Sequence, residues 1–363
     1  MSIEGFDLAA FLNPISEAAP TGVEIRTDFS PNALYFKLRD ARAEARAAER
    51  AADSDPSLEG GAADGWRHVR LHASKILQEQ AKDLEAAAWL TEALVRSDGL
   101  EGLAFGAALI EGLASRYWDQ LYPMPDEDGI ATRLSPVTGL NGEGGDGTLS
   151  QPLNKLKLFN DVNGSPVMFF QYRASADLQS ITEKARLDAR IKAGAVPFEA
   201  MQAQARAAGP SVFLALRRQL KAAQAAWRAM GDTLDSLAGR DAPPTRRVAD
   251  TLDAIGAVIN QYAPPEPAGA VDAAAEDADL TVEGAITPTS STPKKLVTRE
   301  DAMASLLEIA EYFRRTEPQS PIAYTIDEAI RRGRMSWPEL MAELVHDQNV
   351  RNGIMVSLGI KPV

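Results

Sequence analysis

The chain has 363 residues, 45% hydrophobic and 25% charged, which excludes a disordered or fibrous polypeptide and exceeds what one ordinary core takes up. Its formal charge of -13 excludes the clustered cations of nucleic-acid and anionic-membrane binders, and the lack of cysteine excludes disulfides, thiolate metal sites and a thiol nucleophile. Abundant alanine beside only 6% aromatics predicts a mainly α fold.

The start, Met1-Ser2-Ile3-Glu4-Gly5, has neither the basic opening nor the apolar run of a signal peptide, and no run of about 18 apolar residues occurs. The expected compartment is the cytoplasm, without direct membrane insertion. Residues 1 to 32 read as an extended arm with turns at Asn13-Pro14 and Pro20-Thr21-Gly22, anchored by Phe11, Ile15, Ile25 and Phe29. From Leu34 to about Ala52 a helix rich in Ala, Arg and Glu is expected, exposed beyond its first turn and ended by Asp53-Ser54-Asp55-Pro56. Trp66, Val69, Ala73, Ile76 and Leu77 recur at three and four residues and share one helical face. A helix from Asp83, apolar on most sides at Leu84, Ala87, Ala88, Leu90 and Leu94, should lie centrally and stop at Asp98-Gly99. A third apolar stretch follows from Leu100 to Tyr122 and ends at Pro123.

Between Pro125 and Gly147, prolines and glycines are too dense for a predicted helix, so loop is expected. Leu153 to Phe159 and Val167 to Tyr172 flank Asn163-Gly164, the signature of one small β-hairpin. Helical periodicity resumes near Asp177, breaks at Pro197 and Gly209-Pro210, runs from Ser211 to Leu237, and returns from Thr245 to Tyr262. Residues 1–175 thus read as an N-terminal domain, and 176–263 as a middle helical region that is either a domain or an extension of the first. Residues 264–298 mix Pro264, Pro265, Pro267, Pro288 and Pro293 with Ala, Ser, Thr and acids, and read as a disordered linker with an end-to-end distance of about 30 to 35 Å. Residues 299–363 group into four short helices. Within them Phe313, Ile322, Tyr324, Ile326, Ile330, Trp337, Leu340 and Leu344 are expected to form a core or a subunit interface, since so small a unit is marginal alone and gains burial by self-association.

Catalytic constellations are hard to find. His68 and His72 have a spacing that could serve one metal, but Val69, Arg70 and Leu71 stand between them, and the remaining histidine, His346, lies far along the chain. Asp126-Glu127-Asp128-Gly129 resembles part of a calcium loop, yet the position that needs a bidentate glutamate is Val137. The glycines from Gly142 to Gly147 precede no Lys-Ser or Lys-Thr pair, and Ser291-Thr292-Pro293-Lys294 falls in the predicted linker. No catalytic, cofactor-binding or metal-binding residue is therefore assigned, and no enzyme or cofactor is expected.

Leu12-Asn13-Pro14-Ile15-Ser16, Pro20-Thr21-Gly22, Trp66 to Val69, Ala81-Lys82-Asp83-Leu84, Ala88 to Leu94, Tyr117-Trp118-Asp119, Leu121-Tyr122-Pro123 and Gly139 to Leu149 together resemble the N-terminal domain of the ImpA/TssA family of type VI secretion components. Glu317-Pro318-Gln319-Ser320-Pro321, Tyr324, Ala329-Ile330, Met335 and Trp337-Pro338-Glu339-Leu340 resemble the tail domain of its shorter members, which assembles into rings. The resemblance implies a non-enzymatic homo-oligomeric scaffold that primes contractile tail assembly, with baseplate, tube, sheath and membrane-complex proteins as partners. Recruitment to the inner membrane would go through that apparatus. The alternative is a soluble adaptor or chaperone that forms no ring.

Overall fold

A run that is apolar on almost every side has to be surrounded, and the residues after Asp83 take the centre of the fold. In a computed structural model, which describes residues 2–3, 5–54, 59–127, 129–265, 299–316, 319, 321–335, 337–344 and 347–348, two units separate, Met1–Ala273 and Ala274–Val363. At the centre of the first is α4 (Leu84–Tyr117), whose N-cap carboxylate, Asp83, accepts from the Ala86 amide at 2.9 Å. It turns at Gly99, where φ of 58° and ψ of -126° favour a residue without a β-carbon. The expected stop at Asp98-Gly99 is thus a sharp bend, and the second half folds back on the first. The halves approach so closely that a β-carbon at Gly102 would overlap the Leu94 carbonyl and one at Gly106 the Thr91 side chain.

Around this hairpin, α3 (Glu59–Glu79) buries Trp66, Val69, Ala73, Ile76 and Leu77, the stripe its periodicity predicts. The helix before it, α2 (Leu34–Ser54), is not exposed beyond its first turn: Leu38, Ala45 and Ala52 are buried against α3, seven residues apart. The stripe was illegible because alanine carries little hydrophobic signal, although it lets helix axes come close. In the N-terminal arm, β1 (Ser2–Ile3) and β2 (Phe6–Asp7) pair antiparallel before α1 (Leu8–Leu12). Phe11 and Ile25 are buried anchors, whereas Phe29 is 81% exposed and stacks on Phe36 at 5.8 Å.

The predicted loop after Pro125 contains α5 (Ala131–Asn141) despite an internal Pro136. Leu134, Val137 and Leu140 are buried at three-residue spacing, so tertiary packing outweighs the breakers. α6 (Ser150–Asn154) and the hairpin of β3 (Lys157–Asn160) and β4 (Pro166–Met168) follow. The strands are shorter than expected, because Leu153 sits in α6 and Phe169 to Tyr172 open α7 (Phe169–Asp177). The turn is held by the Asp161 carboxylate, which accepts from the Asn163 and Ser165 amides, both at 2.8 Å.

After α7 come the exposed α8 (Lys184–Lys192), α9 (Phe198–Ala208), α10 (Pro210–Ala238) and α11 (Arg246–Tyr262). α10 lies along α4 and buries Phe213, Leu220, Ala223, Trp227, Met230 and Leu234; α11 covers it with Val248, Leu252, Ile255 and Ile259. One hydrophobic cluster runs from Phe11 to Ala263, so these helices extend the first core.

In the second unit α12 (Arg299–Thr316) packs on α13 (Ile322–Arg334), and α14 (Trp337–Leu344) follows. Among the described residues of this unit, Ala310, Ala323 and Ile330 are buried. The predicted linker, save Pro264 and Pro265, and the fourth predicted helix, with Val350, Ile354 and Leu358, lie outside the described residues. Among those residues no helix is long and apolar enough to cross a membrane.

Candidate functional site

Two glutamates seven residues apart, Glu85 and Glu92, interrupt the apolar surface of α4 and give it one charged stripe. Arginines meet that stripe along α2 and its approach. Arg26 reaches Asp83 at 2.8 Å, Glu85 at 2.7 Å and Glu24 at 2.8 Å, and lies 4.9 Å from the centre of the Tyr35 ring. Burial works against its charge, and Asp83, Glu24 and Glu85 overcome that, so the guanidinium is held above the ordinary arginine value. Arg42 binds Glu92 at 2.7 Å over the Trp89 ring, and Arg96 binds Glu49 at 2.9 Å with its guanidinium 3.9 Å from the Trp66 ring. Each carboxylate in this ladder is matched by a guanidinium, an arrangement that locks α2 onto α4 instead of leaving an acid or base poised for proton transfer. Behind it Lys82 is fully buried, with Nζ donating to the Phe11 and Leu77 carbonyls, both at 2.7 Å. Burial pushes its pKa down to about 8.

The glycine-rich loop has a structural task. The Thr148 and Leu149 amides return to the Gly139 and Leu140 carbonyls at 2.9 and 3.2 Å. Asn141 Oδ1 accepts from the Val248 amide at 3.0 Å, which satisfies an early amide of α11, and Asp146 pairs with Arg247 at 3.0 Å. The loop thereby clasps the start of α11. The His68 and His72 rings stack 6.4 Å apart, and burial, then the neighbouring His68, Lys37 and Lys75, lowers the His72 pKa. Among the described residues no group of three His, Cys, Asp or Glu side chains is placed to hold a metal ion. Asp126 accepts from Thr132 Oγ1 at 2.6 Å, while Asp128, His346 and Ser291 to Lys294 lie outside the described residues.

The side chains expected as core or interface in the C-terminal unit fall into groups. Ile330 is buried; Phe313, Ile326 and Leu340 are half-buried; Ile322 and Tyr324 are exposed, Tyr324 at 70%. The side chains of Trp337 and Leu344 lie outside the described residues. Sequence reading did not single out exposure on α12, where Leu306, Leu307, Ile309 and Tyr312 are between 37% and 55% exposed. Apolar residues on several sides of one short helix were the available signal. The opposite charges nearby are in register: Arg331 binds Glu328 at 2.7 Å and Glu343 at 2.6 Å, and Arg314 pairs with Asp327 at 2.6 Å and with Glu311. The Arg331 hydrogen bond pulls the Glu328 carboxyl down to about 2.

The family model for ImpA, N-terminal, type VI secretion system, matches residues 12–142, from the end of α1 through the arginine ladder to the first glycine of the clasp. A solved structure of the N-terminal domain of the TssA component of the type VI secretion system from Burkholderia cenocepacia, containing the ImpA_N region, is 30% identical. It superposes with a TM-score of 0.58 over 70% of this chain and 93% of that one. The chain belongs to the ImpA/TssA family of type VI secretion components. A curated relative, type VI secretion system component TssA1 of Pseudomonas aeruginosa, is 28% identical over 94% of this chain and 95% of its own length. That span is longer than the N-terminal unit, so likeness within the ImpA/TssA family continues into the C-terminal region.

Proposed function

We propose that this ImpA/TssA protein is a non-enzymatic, homo-oligomeric scaffold for the contractile tail of a type VI secretion system. In this reading residues 299–363 associate into a ring, 264–298 serve as a linker, and residues 1–175 with the helices of 176–263 are carried as arms that meet baseplate, tube, sheath and membrane-complex proteins. The observation that carries it is the imbalance in the small unit: Leu306, Leu307, Ile309 and Tyr324 stand exposed around a core in which Ala310, Ala323 and Ile330 are the buried apolar side chains among the described residues. Apolar area left in water on so small a unit is what association removes. A ring also multiplies weak contacts, since linked arms act at high effective concentration on a symmetric partner.

The test is the molar mass of the full-length protein by light scattering, for the wild type and for Leu307→Asp combined with Tyr324→Asp. The expected result is a closed oligomer that the double variant breaks into monomers without unfolding α4. A monomeric or dimeric wild type overturns the ring and leaves the adaptor reading.

A further inference from the structure

Buried polar atoms almost always find a partner, because an unmade hydrogen bond forfeits the solvation given up on burial. Among the described residues the side-chain exceptions are Trp66 Nε1 and Thr148 Oγ1. Trp66, 5% exposed, lines a cavity of about 540 Å³, and Thr148 lines one of about 690 Å³. Glu49, Arg96 and Lys155 line both, so the two cavities share a wall and adjoin as a groove in the N-terminal unit, along the C-terminal half of α2.

The ends differ in chemistry. Leu100, Leu156, Met168 and Leu216 give the Trp66 end an apolar lining. At the Thr148 end the acids are already matched: Glu49 by Arg96, Asp53 by Lys155 at 2.6 Å and Asp146 by Arg247. Arg46 and Arg50 line the same end and form no ion pair among the described residues, leaving two guanidiniums without a described carboxylate partner on a chain of net charge -13. Phe170, 45% exposed, stands beside them.

We propose that this groove receives an extended peptide segment of a partner protein, with an apolar side chain at the Trp66 end and a carboxylate side chain at the Arg46 and Arg50 end. Both orphan atoms are closed off from solvent in this structure, so a backbone carbonyl reaches the Trp66 indole N–H, and an amide or carbonyl the Thr148 hydroxyl, only as the lining side chains shift. A small anion alone would answer the arginines and leave the apolar end and the indole unsatisfied. A carboxylate between two guanidiniums gains charge-assisted hydrogen bonds and fixes the direction in which the segment lies. This goes beyond the scaffold reading, since it names a surface and the chemistry of its occupant, and it holds whether or not the chain forms a ring.

The probe is a phage-displayed library of random linear peptides, selected on the full-length protein and counter-selected on the full-length Arg46→Glu, Arg50→Glu variant. The recovered peptides are expected to pair Asp or Glu with a nearby Leu, Ile, Met or Phe. A synthetic copy should bind the charge-reversal variant about tenfold or more weakly. Arg50→Ala, a milder change at an exposed residue, should cost several-fold, and both variants should keep the wild-type melting temperature. Binding should also shift the indole N–H resonance of Trp66, assigned by its loss in Trp66→Phe. The proposal is overturned by recovery of no peptide, by peptides that bind the charge-reversal variant equally, or by binding that leaves the Trp66 resonance in place. It is equally overturned if inorganic phosphate produces the same resonance shift, which would make the groove a site for small anions.

Discussion

α4 and α12 are both helices with apolar residues on several sides, yet one is enclosed and the other is not. Around α4 the chain supplies α1, α3, α5, α6 and α10, with α2 joined to it by the Arg42–Glu92 and Arg96–Glu49 pairs, and from Leu84 to Ala114 most side chains are buried. Around α12 it supplies α13, and Leu306, Leu307 and Ile309 remain in water. The same sequence signal therefore has two meanings, set by how much chain is available to cover it. Within a unit of 273 residues such a helix becomes a core; within one of 90 it keeps part of its apolar surface in water.

The sharpest way to break this contrast is to disturb the enclosed helix. Gly102→Val should prevent the two halves of α4 from meeting and cost about 3 kcal/mol or more, read as loss of the cooperative thermal transition of the N-terminal unit. Phe105→Ala, at a fully buried position, should cost about 3 to 5 kcal/mol in denaturant unfolding, whereas Leu307→Ala should leave that transition in place and act on assembly. Arg42→Ala would leave the buried Glu92 without its guanidinium, with an expected loss of about 2 kcal/mol.

Lys82 gives a pH test of the same core. Its folded pKa, about 8, lies below the 10.5 of an ordinary lysine, so between these values the unfolded chain binds more protons than the folded one. Stability should therefore rise as pH goes from 8 towards 10.5 and gain nothing from this group on acidification below 8. The neutral amine keeps two hydrogens, enough for the Phe11 and Leu77 carbonyls. Unfolding curves at both ends of that window, compared with Lys82→Met, should show the rise in the wild type and lose this component in the variant. The smallest effect is expected at the surface of the other unit, where Glu328→Gln removes a solvated partner of Arg331 and should leave the melting temperature unchanged.

Much of the first unit was legible because its signals are local. Trp66 to Leu77 carry a helical stripe, Asp98-Gly99 a stop, and Asn163-Gly164 a turn, and each appears where its residues place it. What escaped depends on neighbours distant in sequence. The α2 stripe of Leu38, Ala45 and Ala52 acquires meaning only against α3, and α5 forms around Pro136 because Leu134, Val137 and Leu140 have a core to enter. The ladder was readable in part, since Glu85 and Glu92 repeat at seven residues as do Arg42 and Glu49, but its pairing across α2 and α4 needed the fold. In the C-terminal unit the residues expected as core or interface divide between Ile330, which is inside, and Tyr324, which is outside. Periodicity alone does not separate those fates when a helix has few neighbours.

The most direct measurement is amide hydrogen exchange on the full-length protein over a wide range of protein concentration. If the first unit is complete in itself and the second draws stability from copies of its own kind, protection in α12 and α13 falls on dilution while protection in α4 stays constant. Protection that is independent of concentration in both regions would contradict the account.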